Sequence, residues 1–276
     1  MKIINVSLSV IMIFCMTTLN IEAQNFEGIA TYKSHRKMDL NIEEGDENSE
    51  LKKQLHEQLK KQFQREYTLE FNREESIYKQ VQELNKPMPP SNSGIQITIS
   101  EGSDLLYKNV KDNRYANQTE LMGKVFTIKD SLKTKDWELV NETKNIGNYT
   151  CFKAQFTEEY DTQTLTEQGE IEKVSKKRTT VAWYTPQIPI SNGPQDFHGL
   201  PGLILEINDG ELTLICSKIV INPEQAVEIN EPDKGKVVSQ EEFDKIEEKK
   251  NNELMERMKS RRRDGENVII SIGGQP

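Results

Sequence analysis

Two alternating apolar runs flank an Asp-Gly pair in LILEINDGELTLICSKIVI, Leu203–Ile221. Asp209-Gly210 between such runs is a strong signal for a β-hairpin, because the tight turn needs positive φ angles that Gly adopts without steric cost. Period-two alternation is typical of a strand with one buried face. The stretch therefore predicts two antiparallel strands joined by a tight turn.

Glycine and proline dominate GPQDFHGLPG, Gly193–Gly202, directly before the first of these strands. We expect positive φ angles at Gly199 and Gly202, and Pro201 fixes the bend between them. The apolar run that follows is far too short to cross a membrane. The segment is predicted to be a turn that delivers a core strand.

Strand patterns recur along most of the chain before this turn. They cover residues 26–42, 67–71, 75–82, 95–100, 105–110, 114–119, 124–129, 137–142, 149–156 and 179–185. Strands that follow one another without long intervening helices favour an antiparallel sheet. The predicted fold is mainly β with accessory helices: a curved antiparallel sheet or half-barrel with a helix packed against it.

Two charged segments have helical patterns. In the first, near residues 49–65, apolar residues recur every four positions, at Leu51, Leu55, Leu59 and Phe63. The second, near residues 239–263, begins at Ser239 with Glu242 three positions later, which is the pattern of a capping box. We expect one surface helix near the N-terminus and one helix near the C-terminus.

The N-terminus has the pattern of an export signal. Lys2 precedes an uncharged, mainly apolar run, and a small-residue cleavage site ends at Ala23. We expect cleavage there, leaving residues 24–276 as a single β-rich domain in the periplasm, in the cell envelope or outside the cell. An uncleaved anchor is the alternative, because the run is about as long as a short membrane span. After cleavage we expect no transmembrane span.

The charge of the chain excludes some partners. The formal net charge is −9, and loss of residues 1–23 removes one Lys and one Glu, which leaves it unchanged. An acidic chain is a poor electrostatic match for nucleic acid or anionic lipid head groups. We therefore expect no nucleic-acid partner.

Two cysteines remain after cleavage, Cys151 and Cys216. An oxidising compartment permits a disulfide between them. Two buried thiols on separate strands are the alternative, since free cysteine behaves as a small apolar residue. The spacing leaves both arrangements open.

No known catalytic or metal-binding motif occurs in the sequence. The three histidines, His35, His56 and His198, lack ligand spacing, so we expect neither a metal nor another cofactor. Ser191 and Asp196 lie close to His198 and supply the residue types of a catalytic triad. A polar turn capped by its own side chains is the stronger interpretation. We therefore assign no catalytic residue.

Two motifs resemble the GLPGLI family. AWYTPQIPISNGPQDFHGLPGLILEI, Ala182–Ile207, contains the hexapeptide that names the family, and TKNIGNYTCFKA, Thr143–Ala154, is similar to its Gly-Tyr-x-Cys-x-Lys-Ala segment, with Asn148 as an additional residue. The hexapeptide consists of Gly199, Leu200, Pro201, Gly202, Leu203 and Ile204. The resemblance implies an exported protein of Bacteroidota, often encoded near outer-membrane receptor-like proteins. The family has no established activity, so no catalytic residues carry over.

Three function classes follow from these observations. The first is a non-enzymatic envelope module that binds an apolar ligand or lipid in the curved sheet, with Trp183, Leu203 and Leu205 as candidate lining residues. The second is a protein-interaction accessory of an outer-membrane receptor or secretion system. The third, which the sequence favours least, is an enzyme.

Overall fold

A computed structural model describes residues 26–37, 64–81, 104–165 and 171–263. The expected signal peptide, the helix near residues 49–65 and the strand at residues 95–100 lie outside the described residues. So does the end of the first expected strand, residues 38–42.

The described residues form twelve strands and one helix. They are β1 Gly28–Arg36, β2 Glu66–Phe71, β3 Glu75–Gln80, β4 Leu105–Asn109, β5 Arg114–Leu121, β6 Lys124–Ser131, β7 Glu138–Ile146, β8 Tyr149–Leu165, β9 Ile171–Thr185, β10 Leu203–Asn208, β11 Leu212–Ile221, β12 Lys236–Val238 and α1 Gln240–Arg263. The hairpin expected at Asp209-Gly210 is confirmed as β10–β11. Strands β8 and β9 are much longer than the sequence pattern indicated.

The strands form one sheet in the order β12-β6-β5-β4-β3-β2-β1-β11-β10-β9-β8-β7. Neighbouring strands are antiparallel, except for the parallel pair of β12 and β6. The register shifts between Ile204 and Glu206 of β10 and between Val140 and Thr143 of β7. Bulges of this kind bend a strand and increase its twist.

The sheet has to curve around an interior, because a short connection joins two strands that lie far apart in its order. Ten strand spacings separate β6 from β7, about 48 Å in a flat sheet. The connecting residues 132–137 span at most about 25 Å when fully extended. The predicted class, a mainly β fold with an open curved sheet and a packed helix, is therefore confirmed.

Two buried apolar clusters fill this interior. The first contains Ala30, Tyr32, Leu69, Phe71, Tyr78, Cys151, Ile188, Ile190, Leu203 and Leu205. The second contains Ala154, Ala182, Tyr184, Leu200, Ile204, Ile207 and Leu214. Residues 186–202, which we call the inner loop, contribute to both. The inner loop therefore packs inside the curve and joins its two sides.

Helix α1 packs against the part of the sheet that contains β6 and β12. The capping box expected from the sequence is confirmed: the Ser239 N–H donates to Glu242 Oε2 at 3.0 Å, and the Glu242 N–H donates to Ser239 Oγ at 3.2 Å. The Phe243 ring meets the Phe126 ring edge to face, with centroids 5.5 Å apart. The start of the helix thus follows from the sequence, whereas the structure shows which part of the sheet it packs against.

Candidate functional site

Two glycines of the inner loop are needed for different reasons. Gly199 has a φ of +94°, as expected. The same expectation for Gly202 is wrong, since its φ is not positive. A Cβ on Gly202 would instead lie 2.5 Å from the carbonyl carbon of Thr185 and 2.8 Å from the nitrogen of Pro186. Gly202 therefore permits a close approach between two backbone segments.

Backbone hydrogen bonds attach the inner loop to the start of β10. The Leu203 N–H donates to the Ile188 carbonyl, and the Ile204 N–H donates to the Asn192 carbonyl, each at 3.0 Å. The Asn192 side-chain amide donates to Ser76 Oγ of β3 at 2.9 Å. The loop is thus fixed to strands on both sides of the curve.

Lys108 of β4 is fully buried beneath the inner loop. Its ammonium nitrogen donates to the Gly193 carbonyl at 2.7 Å and to the Phe197 carbonyl at 3.3 Å. Burial lowers the pKa of Lys108 to about 7, against an opposing effect of the Asp196 charge. Two neutral carbonyl acceptors do not replace the hydration that a buried ammonium loses. Lys108 therefore holds the loop at an electrostatic cost.

Asp196 at the outer side of the loop binds a second lysine. Lys135 Nζ, in the connection between β6 and β7, lies 2.8 Å from Asp196 Oδ2. Desolvation opposes ionisation of Asp196, but the charges of Lys135 and Lys108 hold its pKa below the ordinary value. The Asp196 carboxylate therefore interacts electrostatically with two lysines, Lys108 of β4 and Lys135 of the β6–β7 connection.

Three aromatic residues, which we call the ring triad, surround this ion pair: Trp137, Phe156 and Phe197. Trp137 and Phe156 meet edge to face with centroids 4.8 Å apart, and Phe197 lies 6.4 Å from each of them. The indole N–H of Trp137 donates to the His198 carbonyl at 2.8 Å. These contacts join the β6–β7 connection, β8 and the inner loop.

Ser191, Asp196 and His198 do not form a catalytic triad in the structure. Ser191 Oγ accepts the Gly199 N–H at 3.1 Å. His198 Nδ1 lies 2.9 Å from the main-chain oxygen of Asp196, which can only accept, so Nδ1 is the donor. Burial lowers the pKa of His198, and the charges of Lys108 and Lys135 lower it further. The three side chains have separate partners, as a self-capped turn requires.

Of the candidate lining residues, Leu203 and Leu205 are fully buried in the first cluster. Trp183 is partly buried and packs against that cluster. The Lys144 ammonium lies 4.4 Å from the ring centroid of Trp183. Lys144 also binds both carboxylate oxygens of Glu206 at 2.7 Å. Binding of an apolar ligand by these residues stays a prediction.

Cys151 and Cys216 are both free thiols in the structure. Burial raises the pKa of Cys151 to about 11 and that of Cys216 to about 12, so both are protonated at neutral pH. Their strands, β8 and β11, have β9 and β10 between them. A disulfide needs Cα atoms within about 7 Å. The bridge stays a prediction.

The sequence did not nominate Lys108 or Lys135. A signal for Lys108 exists in hindsight, because it shares the strand face of Leu106 in an apolar strand and is therefore at an inward position. Lys135 lies in a connection without periodicity, and only the curvature of the sheet brings it to Asp196. No local pattern could have found it.

Among the described residues, no group of three or more His, Cys, Asp or Glu side chains could hold a metal ion. The part of the chain that the structure describes also contains no helix long and apolar enough to cross a membrane.

Comparison with known proteins identifies one family similarity. Residues 137–206, about a quarter of the chain, match the family described as Protein of unknown function (Porph_ging). The matched residues contain the whole inner loop, the Cys151 segment and Trp137. The chain is therefore similar to an uncharacterised family in the region that contains the inner loop, while Lys108 and Lys135 lie outside the matched residues.

No curated protein matches this sequence. Two solved structures of PNGF-II, in the C2 and P21 space groups, are similar over 80% and 78% of this chain, with 12% identity and TM-scores of 0.47 and 0.44. The chain spans about a third of the length of PNGF-II, 32% in both cases. Similarity at this level assigns neither fold nor function to this chain.

Proposed function

We propose that this chain is an exported, non-enzymatic module of the cell envelope that binds another protein, and that it is a member of the GLPGLI family. The signal pattern ending at Ala23 and the two family motifs support export. The separate partners of Ser191, Asp196 and His198 support a role without catalysis.

A projecting pair of strands carries the proposal. Strand β7 pairs with β8 only as far as Gln155, and β10 pairs with β9 only from Val181 onward. Residues 157–165 and 171–179, which we call the ribbon, pair with each other and with no other described strand. The ribbon is about 30 Å long, since each residue adds about 3.3 Å.

The ribbon is anchored at its base, and no described strand pairs with its outer edges. Phe156 is buried against Trp137, and Arg178 lies 2.7 Å from Glu158 and 3.5 Å from Asp209. A two-stranded ribbon is only marginally stable by itself in water. Free strand edges offer backbone donors and acceptors to a strand of a partner. A protein partner would therefore stabilise strand edges that no described strand of this chain pairs with.

The apolar-ligand alternative requires the inner loop to move. Leu203 and Leu205 pack against Ile188 and Ile190 of that loop in one cluster. A ligand that contacted the two leucines would have to displace this packing, together with the contacts of Lys108. The packed interior favours the protein-binding function.

Site-specific photo-crosslinking in cells tests the proposal. A photoreactive residue replaces Val174, which is 37% exposed on the ribbon, and in the matched control it replaces Met122, which is 55% exposed at the β5–β6 turn. We expect a crosslink of one defined mass from position 174 and none of that mass from position 122. Equal products from both positions, or none from position 174, would contradict the proposal.

A further inference from the structure

The Lys135 ammonium contacts two aromatic rings and a carboxylate. Its nitrogen lies 5.4 Å from the centroid of Phe156 and 5.5 Å from that of Phe197. Asp196 Oδ2 lies 2.8 Å away and neutralises the charge. The Lys135 side chain is 14% exposed, whereas the Asp196 side chain that it contacts is 56% exposed.

Aromatic faces and a carboxylate together are the chemistry that selects an ammonium group. Ring faces carry negative electrostatic potential that attracts cations, and the attraction is stronger where the cation is desolvated. Trp137 supports the two rings without facing the cation itself, through its edge contact with Phe156 and its hydrogen bond to the His198 carbonyl. The rings are therefore held in place independently of Lys135.

The position of Lys135 connects two parts of the fold that are far apart in the chain. The lysine belongs to residues 132–137, the short connection between distant strands of the sheet, whereas Asp196 and Phe197 belong to the inner loop. The site therefore ties the connection that curves the sheet to the loop that fills its interior.

We propose that Phe156, Phe197 and Asp196, supported by Trp137, form an alkylammonium-binding site whose occupant is Lys135 of the same chain. The occupied site locks the β6–β7 connection onto the inner loop. The site takes a primary alkylammonium ion from solution when the lysine side chain is removed.

Chemical rescue tests this proposal on the expected mature chain, residues 24–276. Lys135→Ala should lower Tm by about 5 °C or more, and methylammonium chloride should restore part of that loss while sodium chloride at equal concentration does not. Lys133→Ala, which removes an exposed lysine of the same connection, is the control for general salt effects. Equal Tm values for the two alanine variants, or equal action of the two salts, would overturn the proposal.

A second pair of variants keeps the test decisive if Lys135→Ala does not fold. Lys135→Arg retains a cation that binds carboxylates and stacks on rings, whereas Lys135→Met has similar length and no charge. We expect the Arg variant to melt near the wild-type Tm and the Met variant to melt well below it. Equal Tm values for these variants would show that packing alone explains the contact.

Discussion

At the scale of single residues, the inner loop depends on contacts that sequence spacing does not reveal. Gly202 is required because the Thr185 carbonyl lies against its α-carbon, and Lys108 is buried because the loop covers β4. Both contacts, of Gly202 with Thr185 and of Lys108 with the inner loop, join residues that are not neighbours in the sequence. The sequence indicated that the loop glycines matter, but for Gly202 it indicated the wrong reason.

Gly202→Ala should destabilise the protein by about 2 kcal/mol or more, because the added methyl group overlaps backbone atoms that cannot move aside. Gly210→Ala is the matched control: Gly210 has a φ of +94°, but nothing lies within 4 Å of an added Cβ. We expect that control to cost only about 1 kcal/mol. Urea unfolding measures both variants, and equal losses would contradict the close-approach argument.

Lys108 should make stability depend on pH. Its pKa is about 7 in the folded chain against an ordinary value of 10.5. Between these values the unfolded chain binds a proton that the folded chain does not, so stability rises with pH and the cost is fully present below pH 7. The unfolding free energy of wild type minus that of Lys108→Met should rise by about 2–3 kcal/mol from pH 7 to pH 9.

Lys133→Met is the control for that experiment, since its lysine side chain is exposed. The difference between wild type and this control should stay flat over the same pH range. A flat difference for Lys108→Met as well would mean that the buried ammonium is compensated by a partner.

At the scale of elements, period-two alternation located the described strands except β12, and the capping box located the start of α1. The apolar pattern underestimated the lengths of β8 and β9, because residues 157–165 and 171–179 are mainly charged and polar. Their pairing is stabilised across the ribbon by contacts such as Glu158 with Arg178 and Thr157 with Thr179. A search for alternating apolar residues cannot detect strands that consist mainly of charged and polar residues.

The packing of α1 gives a prediction at this scale. Phe243 is 6% exposed against β6, whereas Phe152 is 40% exposed on β8. Phe243→Ala should cost about 3 kcal/mol, typical of a buried ring, and Phe152→Ala clearly less. Thermal unfolding of the two variants checks this difference, and a larger loss for Phe152→Ala would show that the helix contributes little to the fold.

The oxidation state of the two cysteines tests how closely β8 and β11 approach each other, since β9 and β10 separate them in the sheet. If both remain free thiols, a thiol reagent should label two cysteines in the mature protein after unfolding without a reductant. Labelling of none would show a disulfide between two side chains that both pack in or against the first cluster.

At the scale of the whole molecule, the sequence predicted a curved antiparallel sheet with a packed helix, and this was correct. It could not predict the strand order, because the closeness of β6 and β7 follows from a six-residue connection across the curve rather than from any residue pattern. The candidate site depends on that order, since Lys135, Asp196 and Phe156 meet only after the sheet has curved. Family motifs marked the inner loop but not its partners.

A variant with a shortened ribbon tests the proposed contribution of the ribbon to protein binding. Deletion of residues 160–176 and insertion of an Asn-Gly turn would join Glu159 to Lys177, which already face each other across the ribbon. The deletion removes no residue of the inner loop and no strand pair outside the ribbon, so we expect the curved sheet to stay intact and assign any loss of binding to the ribbon.

Native mass spectrometry of the mature protein, gently extracted from the cell envelope, tests the central claim most directly. We expect wild type to carry the mass of an additional protein chain and the ribbon-shortened variant to lack it. A lipid or other small-molecule adduct on both proteins, with no second chain on either, would contradict the account and favour a carrier of apolar ligands.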